Sequence, residues 1–185
     1  MEVSPQMRYN KLKESSQGGE DMNMKKYKLF WKLGDLDKHI IYKSFDDEEE
    51  YYSFLKQQFD AGYRQIIVSS EAMIDLIKYV VMQQGLKIYR IEFAEEDDAL
   101  SEEVSNLIEM IETRPVMFNA LIEKLHFLAE TSSIDIKRIY LSGRLANGSI
   151  VDMYIQSNGI IAINDGIDME FVYQIITLIE RCLFG

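Results

Sequence analysis

The sequence predicts one α/β (α+β) domain on a mixed sheet. Three observations carry that prediction. Helical and strand periodicities alternate along the chain. Two Asn-Gly or Ser-Asn-Gly turns late in the chain, at Asn147-Gly148 and Ser157-Asn158-Gly159, are flanked by alternating apolar residues. A length of 185 residues suits one domain with a real core and is short for two. Residues 1–23 are polar, lack periodicity and contain Ser-Ser-Gln-Gly-Gly, so a flexible tail is expected there and a single domain over 24–185.

The first periodic stretch, Lys26–Leu33, reads as a strand, Gly34-Asp35 as a turn, and His39–Phe45 as the second strand of a hairpin. Asp46 then stands as a helix N-cap with Glu49 three residues on, the capping-box spacing. Tyr52, Leu55 and Phe59 form the expected apolar stripe of that helix, with Tyr51 and Phe54 alongside, and Gly62 ends it. The β-branched run Arg64–Ser70 reads as a buried strand. Ser69 or Ser70 caps a helix to about Gln84, where Met73, Ile74, Ile77, Val80 and Val81 cover most of the circumference. Gly85 closes it, and Leu86–Phe93 is the next strand. Strand, helix, strand, helix, strand implies right-handed crossovers and a parallel centre to the sheet, a βαβαβ N-terminal half.

Two helices follow. Val104, Leu107, Ile108 and Ile111 have helical spacing, Thr113-Arg114-Pro115 is a break, and Phe118, Leu121, Ile122, Leu125 and Leu128 line the second helix. Three strands and a last helix, 168–184, complete the order β-β-α-β-α-β-α-α-β-β-β-α.

Parity sets the register of the last strands. A two-residue loop at Asn147-Gly148 would place Gly143 opposite Asp152 and mix core with surface residues on one face. A three-residue loop, Ala146-Asn147-Gly148, pairs Ile139 with Ile155, Leu141 with Met153 and Gly143 with Val151, and puts Gly148 in the left-handed position that such loops need. The same device at Ser157-Asn158-Gly159 pairs Ile155 with Ile161 and Met153 with Ile163. The result is a C-terminal three-stranded antiparallel meander plus helix. Its second face carries Arg138, Tyr140, Ser142, Arg144, Asp152, Tyr154 and Gln156. That face reads either as a solvated sheet surface with ordinary cross-strand pairs, Arg144 with Asp152 among them, or as a binding face, since it has two Tyr, two Arg and no Lys.

The formal net charge of −11 is unevenly spread. Nine acids (Glu92, Glu95, Glu96, Asp97, Asp98, Glu102, Glu103, Glu109, Glu112) fall within 92–112, with no Lys or Arg. Such a chain repels phosphate backbones and anionic membrane, so neither nucleic acid nor membrane is expected as a direct partner. A protein with a basic surface is the easier partner, through Glu95, Glu96, Asp97, Asp98, Glu102 and Glu103. The plainer reading of those acids is the start of a helix, where carboxylates complement the dipole.

No phosphate-binding glycine loop, zinc motif or EF-hand is present, and the single Cys182 excludes an internal disulfide. His39 reads as an exposed strand-start residue, His126 as a helix-face histidine and Cys182 as a small core residue. No catalytic residues, metal site or cofactor are therefore expected. No signal peptide or long apolar span is legible, which favours the cytoplasm. The expected function is that of a non-catalytic acidic protein-interaction or regulatory protein, an inhibitor- or immunity-type binder. Two alternatives stand beside it: an enzyme or small-ligand domain with its site at the strand ends near Ser69 and Phe93, and a nucleic-acid mimic that inhibits a basic protein. The narrow polar stripe Glu170, Gln174, Thr177 and Arg181 of the last helix raises the further expectation of a homodimer through 168–184.

Overall fold

In the computed structural model, which describes residues 24–35, 39–45 and 50–184, the elements follow the expected order. They are β1 (Met24–Lys32), β2 (Ile40–Phe45), α1 (Tyr51–Asp60), β3 (Tyr63–Gln65), α2 (Ser70–Met82), β4 (Lys87–Phe93), α3 (Asp98–Thr113), α4 (Met117–Thr131), β5 (Ile136–Arg144), β6 (Ile150–Gln156), β7 (Ile160–Asn164) and α5 (Met169–Phe184). The tail at 1–23 and the Asp46/Glu49 capping box lie outside the described residues. At the described start of α1, Glu50 occupies the N-cap position without a side-chain cap bond.

The strands make one seven-stranded sheet in the order β2-β1-β7-β6-β5-β4, with the short β3 also paired to β1. Every pairing among the described residues is antiparallel. The mixed sheet with a parallel βαβαβ centre is therefore corrected to an antiparallel α+β architecture. Successive strands in a chain need not be neighbours in space. β3 lies beside β1, β4 lies at the far edge, and the C-terminal meander fills the positions between them.

The hairpin registers match the parity argument. Ile139 pairs with Ile155, Leu141 with Met153 and Gly143 with Val151, while Met153 pairs with Ile163 and Ile155 with Ile161. Gly148 and Gly159 have φ of +88° and +79°. One face of the sheet, with Leu29, Ile88, Ile91, Ile139, Leu141, Val151, Met153, Ile155, Ile161 and Ile163, joins the main core. Helices α2 to α5 cover it, contributing Met73, Ile74, Leu76, Ile77, Val104, Ile108, Leu121, Leu125, Ile175 and Ile179. The apolar side of α5 is thus consumed inside the chain, and the residues it leaves at the surface include Glu170, Gln174, Thr177 and Arg181.

Two local expectations change. In α1 the buried residue is Phe54, whereas Tyr52 and Phe59 are exposed, so the apolar stripe is rotated from the one read in the sequence. The cause is the position of α1: it packs on the sheet face opposite the other helices, where Phe54 meets Phe30 and Phe45 at ring separations of 5.9 and 5.4 Å. In Arg64–Ser70, only the end of β3 is a paired strand. Ile66 and Val68 are buried and Ile67 is exposed, which is strand-like alternation. The segment instead crosses the ends of other strands. The Ile66 N–H donates to Leu29 O of β1, and the Val68 N–H donates to Ser157 O in the β6–β7 turn. The Ser70 hydroxyl donates to Asp135 Oδ1 and accepts from the Ile136 N–H at the start of β5.

Lys28 fastens this crossing. Its side chain is wholly buried on the α1 side of the sheet, above the Phe30 ring at 5.6 Å. Its ammonium donates to Asn158 O and to Ile66 O, the latter at 3.4 Å. One cation thus ties the crossing segment to the β6–β7 turn. Gly159 is required at the same place. A Cβ there would lie 2.5 Å from Ile66 O and 3.3 Å from Lys28 Nζ.

Two outcomes follow for stability. Gly148 and Gly159 share a left-handed backbone, but only Gly159 meets other backbone. Gly148→Ala is expected to cost about 1 kcal/mol from conformation alone, and Gly159→Ala at least about 2 kcal/mol more, by urea denaturation. Burial pulls the Lys28 pKa down from 10.5 to about 8. Between those values the unfolded chain holds more protons than the folded one. The Lys28 contribution to stability is therefore smallest below pH 8, rises through the window and is complete above 10.5. Lys28→Met should flatten that rise in a pH series. It should lower stability by about 1 kcal/mol above pH 10.5, where the Ile66 and Asn158 carbonyls lose their donor, and by less at pH 7, where the variant also escapes the burial of a charge.

Candidate binding face

The face expected on β5 and β6 forms as one surface. Arg138 pairs with Gln156, Tyr140 with Tyr154, Ser142 with Asp152 and Arg144 with Ile150. Beyond β5 the structure adds β4, which the sequence reading left out. Arg90 lies opposite Tyr140 and Glu92 opposite Arg138. A register shift between Ile88 and Arg90 puts Tyr89 on the same surface. It lets Ile88 and Ile91 both reach the core although they are three residues apart. The signal for this was in the sequence: Leu86–Phe93 breaks strict alternation at Tyr89-Arg90.

The side chains form a ladder. Tyr89 and Tyr140 have ring centroids 5.8 Å apart, and Tyr140 and Tyr154 have them 5.7 Å apart. The Arg138 guanidinium stands over Tyr154 at 4.6 Å and over Tyr140 at 5.6 Å, and Arg90 stands over Tyr140 at 5.1 Å. Hydrogen bonds fix these positions. Arg138 donates to Tyr140 Oη at 2.8 Å and to Gln156 Oε1 at 3.3 Å, and the Tyr140 hydroxyl donates to Glu92 at 2.8 Å. Glu92 also pairs with Arg90 at 2.7 Å and sits 3.8 Å from Arg138. The Tyr89 hydroxyl donates to Asp152 at 3.0 Å. Arg138 Nε is buried and has no partner among the described residues.

Local charge is balanced, with Arg90 and Arg138 against Glu92 and Asp152. Burial, and then the Asp152 carboxylate, push the Tyr89 phenol well above its usual range. Burial raises Tyr140 too; Glu92 adds to the rise and Arg138 opposes it. Both therefore remain neutral hydrogen-bond donors at physiological pH. Burial pulls Arg138 down, but Tyr140, Glu92 and Tyr154 outweigh it and raise the group overall. The surface is a preformed, uncharged aromatic platform with guanidinium groups locked upon it.

Other expected residues are placed as follows. Arg144 does not pair with Asp152; it donates to Gly148 O at 2.9 Å and serves the hairpin loop. Ser142 lies on the face opposite Asp152 without an added bond. Glu95, Glu96, Asp97, Asp98, Glu102 and Glu103 are all exposed, just beyond the end of β4. Part of that strip has structural work: Asp97 caps α3 by accepting from the Leu100 N–H, and Glu103 pairs with Lys124. No cluster of three or more potential metal ligands occurs among the described residues. No helix among them is long and apolar enough to cross a membrane.

Ser69 caps α2 by accepting from the Ala72 N–H, and Phe93 ends the edge strand β4. The crevice of parallel strand ends has no counterpart among the described residues, where every strand pairing is antiparallel and Ser69 lies outside any strand. His39 is exposed and contacts Glu180; His126 lies on the α4 surface with Nε2 3.1 Å from Lys78 Nζ; Cys182 is partly buried against the core.

If the tyrosine face is open in solution, Tyr154→Ala should cost about 1 kcal/mol or less, the value of a cross-strand aromatic pair. A loss above about 3 kcal/mol in urea denaturation would place Tyr154 under another part of the chain.

Comparison of the chain with family models, with curated proteins and with solved structures finds no match in any of the three.

Proposed function

We propose that this chain is a non-catalytic, cytoplasmic protein-binding module that engages a basic partner protein through the Tyr89/Tyr140/Tyr154 face. One observation carries the reading: three tyrosines in successive tilted ring contacts and two arginines are held on the sheet face by bonds to Glu92, Asp152 and Gln156. Tyr and Arg dominate the energetic centres of protein interfaces. Rigidity matters because side chains already ordered lose little entropy on association. The platform itself is neutral, so it offers contact area and directed hydrogen bonds without a net field. The field comes from its rim. Glu95, Glu96, Asp97 and Asp98 begin two residues beyond the end of β4 and are exposed. An aromatic centre beside an acidic rim suits a partner with an apolar anchor flanked by Lys and Arg, the rim raising the association rate.

The test compares proteins recovered by the wild-type chain and by Tyr89→Ala/Tyr154→Ala, both immobilised in folded form. A partner bound by the wild type and lost from the variant is expected. Its association rate should fall severalfold in the Glu95→Lys/Glu96→Lys variant and with added salt. Recovery of the same proteins at the same level by both chains would refute the role of this face.

A further inference from the structure

At the other end of the sheet, α1 and β3 enclose an open cavity of about 350 Å³. It falls in the size range of small-molecule sites. Phe30, almost fully buried, is among its lining residues, and so are Phe59 and Tyr63. Phe59 is 57% exposed and leaves part of its ring surface at the cavity mouth.

The polar lining is cationic. Arg64 lies 3.8 Å from the Phe59 ring centroid and is anchored through Nη1, which donates to Tyr63 O at 2.9 Å and to Phe59 O at 3.4 Å. Its other donors have no partner among the described residues. Lys56, also in the lining, makes no ion pair among the described residues, and neither does Asp60 at the end of α1. Lys43 Nζ stands 5.3 Å from the Tyr63 ring on the same side of the sheet. A chain of net charge −11 repels anions over most of its surface. A concave aromatic site lined by an anchored guanidinium, Arg64, and by Lys56 therefore offers two cations within a chain that is acidic as a whole.

We propose that this cavity binds a small aromatic carboxylate, with its ring against Phe59 and Tyr63 and its carboxylate held by Arg64 and Lys56. The aromatic lining selects a flat apolar body, and a guanidinium held in place selects a carboxylate by charge-assisted hydrogen bonds. The site is separate from the tyrosine face on β4–β6, and either can fail without the other.

The experiment is an NMR titration of the full-length, ¹⁵N-labelled chain with 2-naphthoate, and with 2-naphthalenemethanol as the uncharged analogue. Saturable shifts are expected at the amides of Phe59, Arg64 and Gln65, with naphthoate about tenfold tighter than the alcohol. Lys56→Gln, at a surface residue with no ion pair, should weaken naphthoate about threefold, and Lys56→Gln/Arg64→Gln about tenfold, with the alcohol unaffected. Absence of saturation at millimolar naphthoate, equal affinity for the two compounds, shifts centred elsewhere, or unchanged affinity in the double variant would each overturn the proposal.

Discussion

The sheet depends on one crossing. Between β3 and α2 the chain must pass from β1, near one edge, towards β5, close to the other. It does so in a few extended residues, bonding in turn to Leu29, to Ser157 and to the start of β5. An extended segment laid across strand ends has carbonyls that no ladder can satisfy, and buried unsatisfied carbonyls are costly. Lys28 supplies the donor, reaching Ile66 and Asn158 together. An ammonium is suited to this because it offers three donors and no acceptor. The arrangement also accounts for Gly159, whose missing Cβ is what lets the turn approach Ile66.

This route has consequences for function. Because α2 is delivered to one face of the sheet, α3, α4 and α5 gather there with it, and among the described helices only α1 packs on the other. The β4–β6 portion of that second face is left with the tyrosine and arginine ladder. Its order comes from pairs that are individually weak, since exposed ion pairs and cross-strand contacts each contribute under about 1 kcal/mol. Collectively they hold Arg138 between two rings and two acceptors, a geometry that would be costly to form at the moment of binding.

Much of this was legible in the sequence, for local reasons. The Asn-Gly turns and a period of two were enough to set the register of β5, β6 and β7, because a one-residue slip would have turned every isoleucine outward. Helices α2 to α5 were legible from apolar spacing. The α1 stripe was not, since Tyr51, Tyr52, Phe54, Leu55 and Phe59 surround that helix and only its neighbours decide which of them is buried. Tyr89, Arg90 and Glu92 were missed as members of the binding face for a related reason. Their strand was legible, but its neighbour was not. Lys28 gave no sign of burial, lying in an alternating strand between Lys26 and Lys32 as any surface lysine would.

Sequence alone therefore determined helices α2 to α5 and most of the strands, how the two late hairpins are registered, and which residues share the face of β5 and β6. These are matters of period and turn chemistry, which act over a few residues. Tertiary structure alone decided that the sheet is antiparallel throughout, that Arg64–Ser70 crosses strand ends instead of joining the sheet's centre, and that β4 completes the tyrosine face. Those outcomes turn on which distant segments bury each other's apolar surface and satisfy each other's carbonyls, and local periodicity carries no information about that pairing.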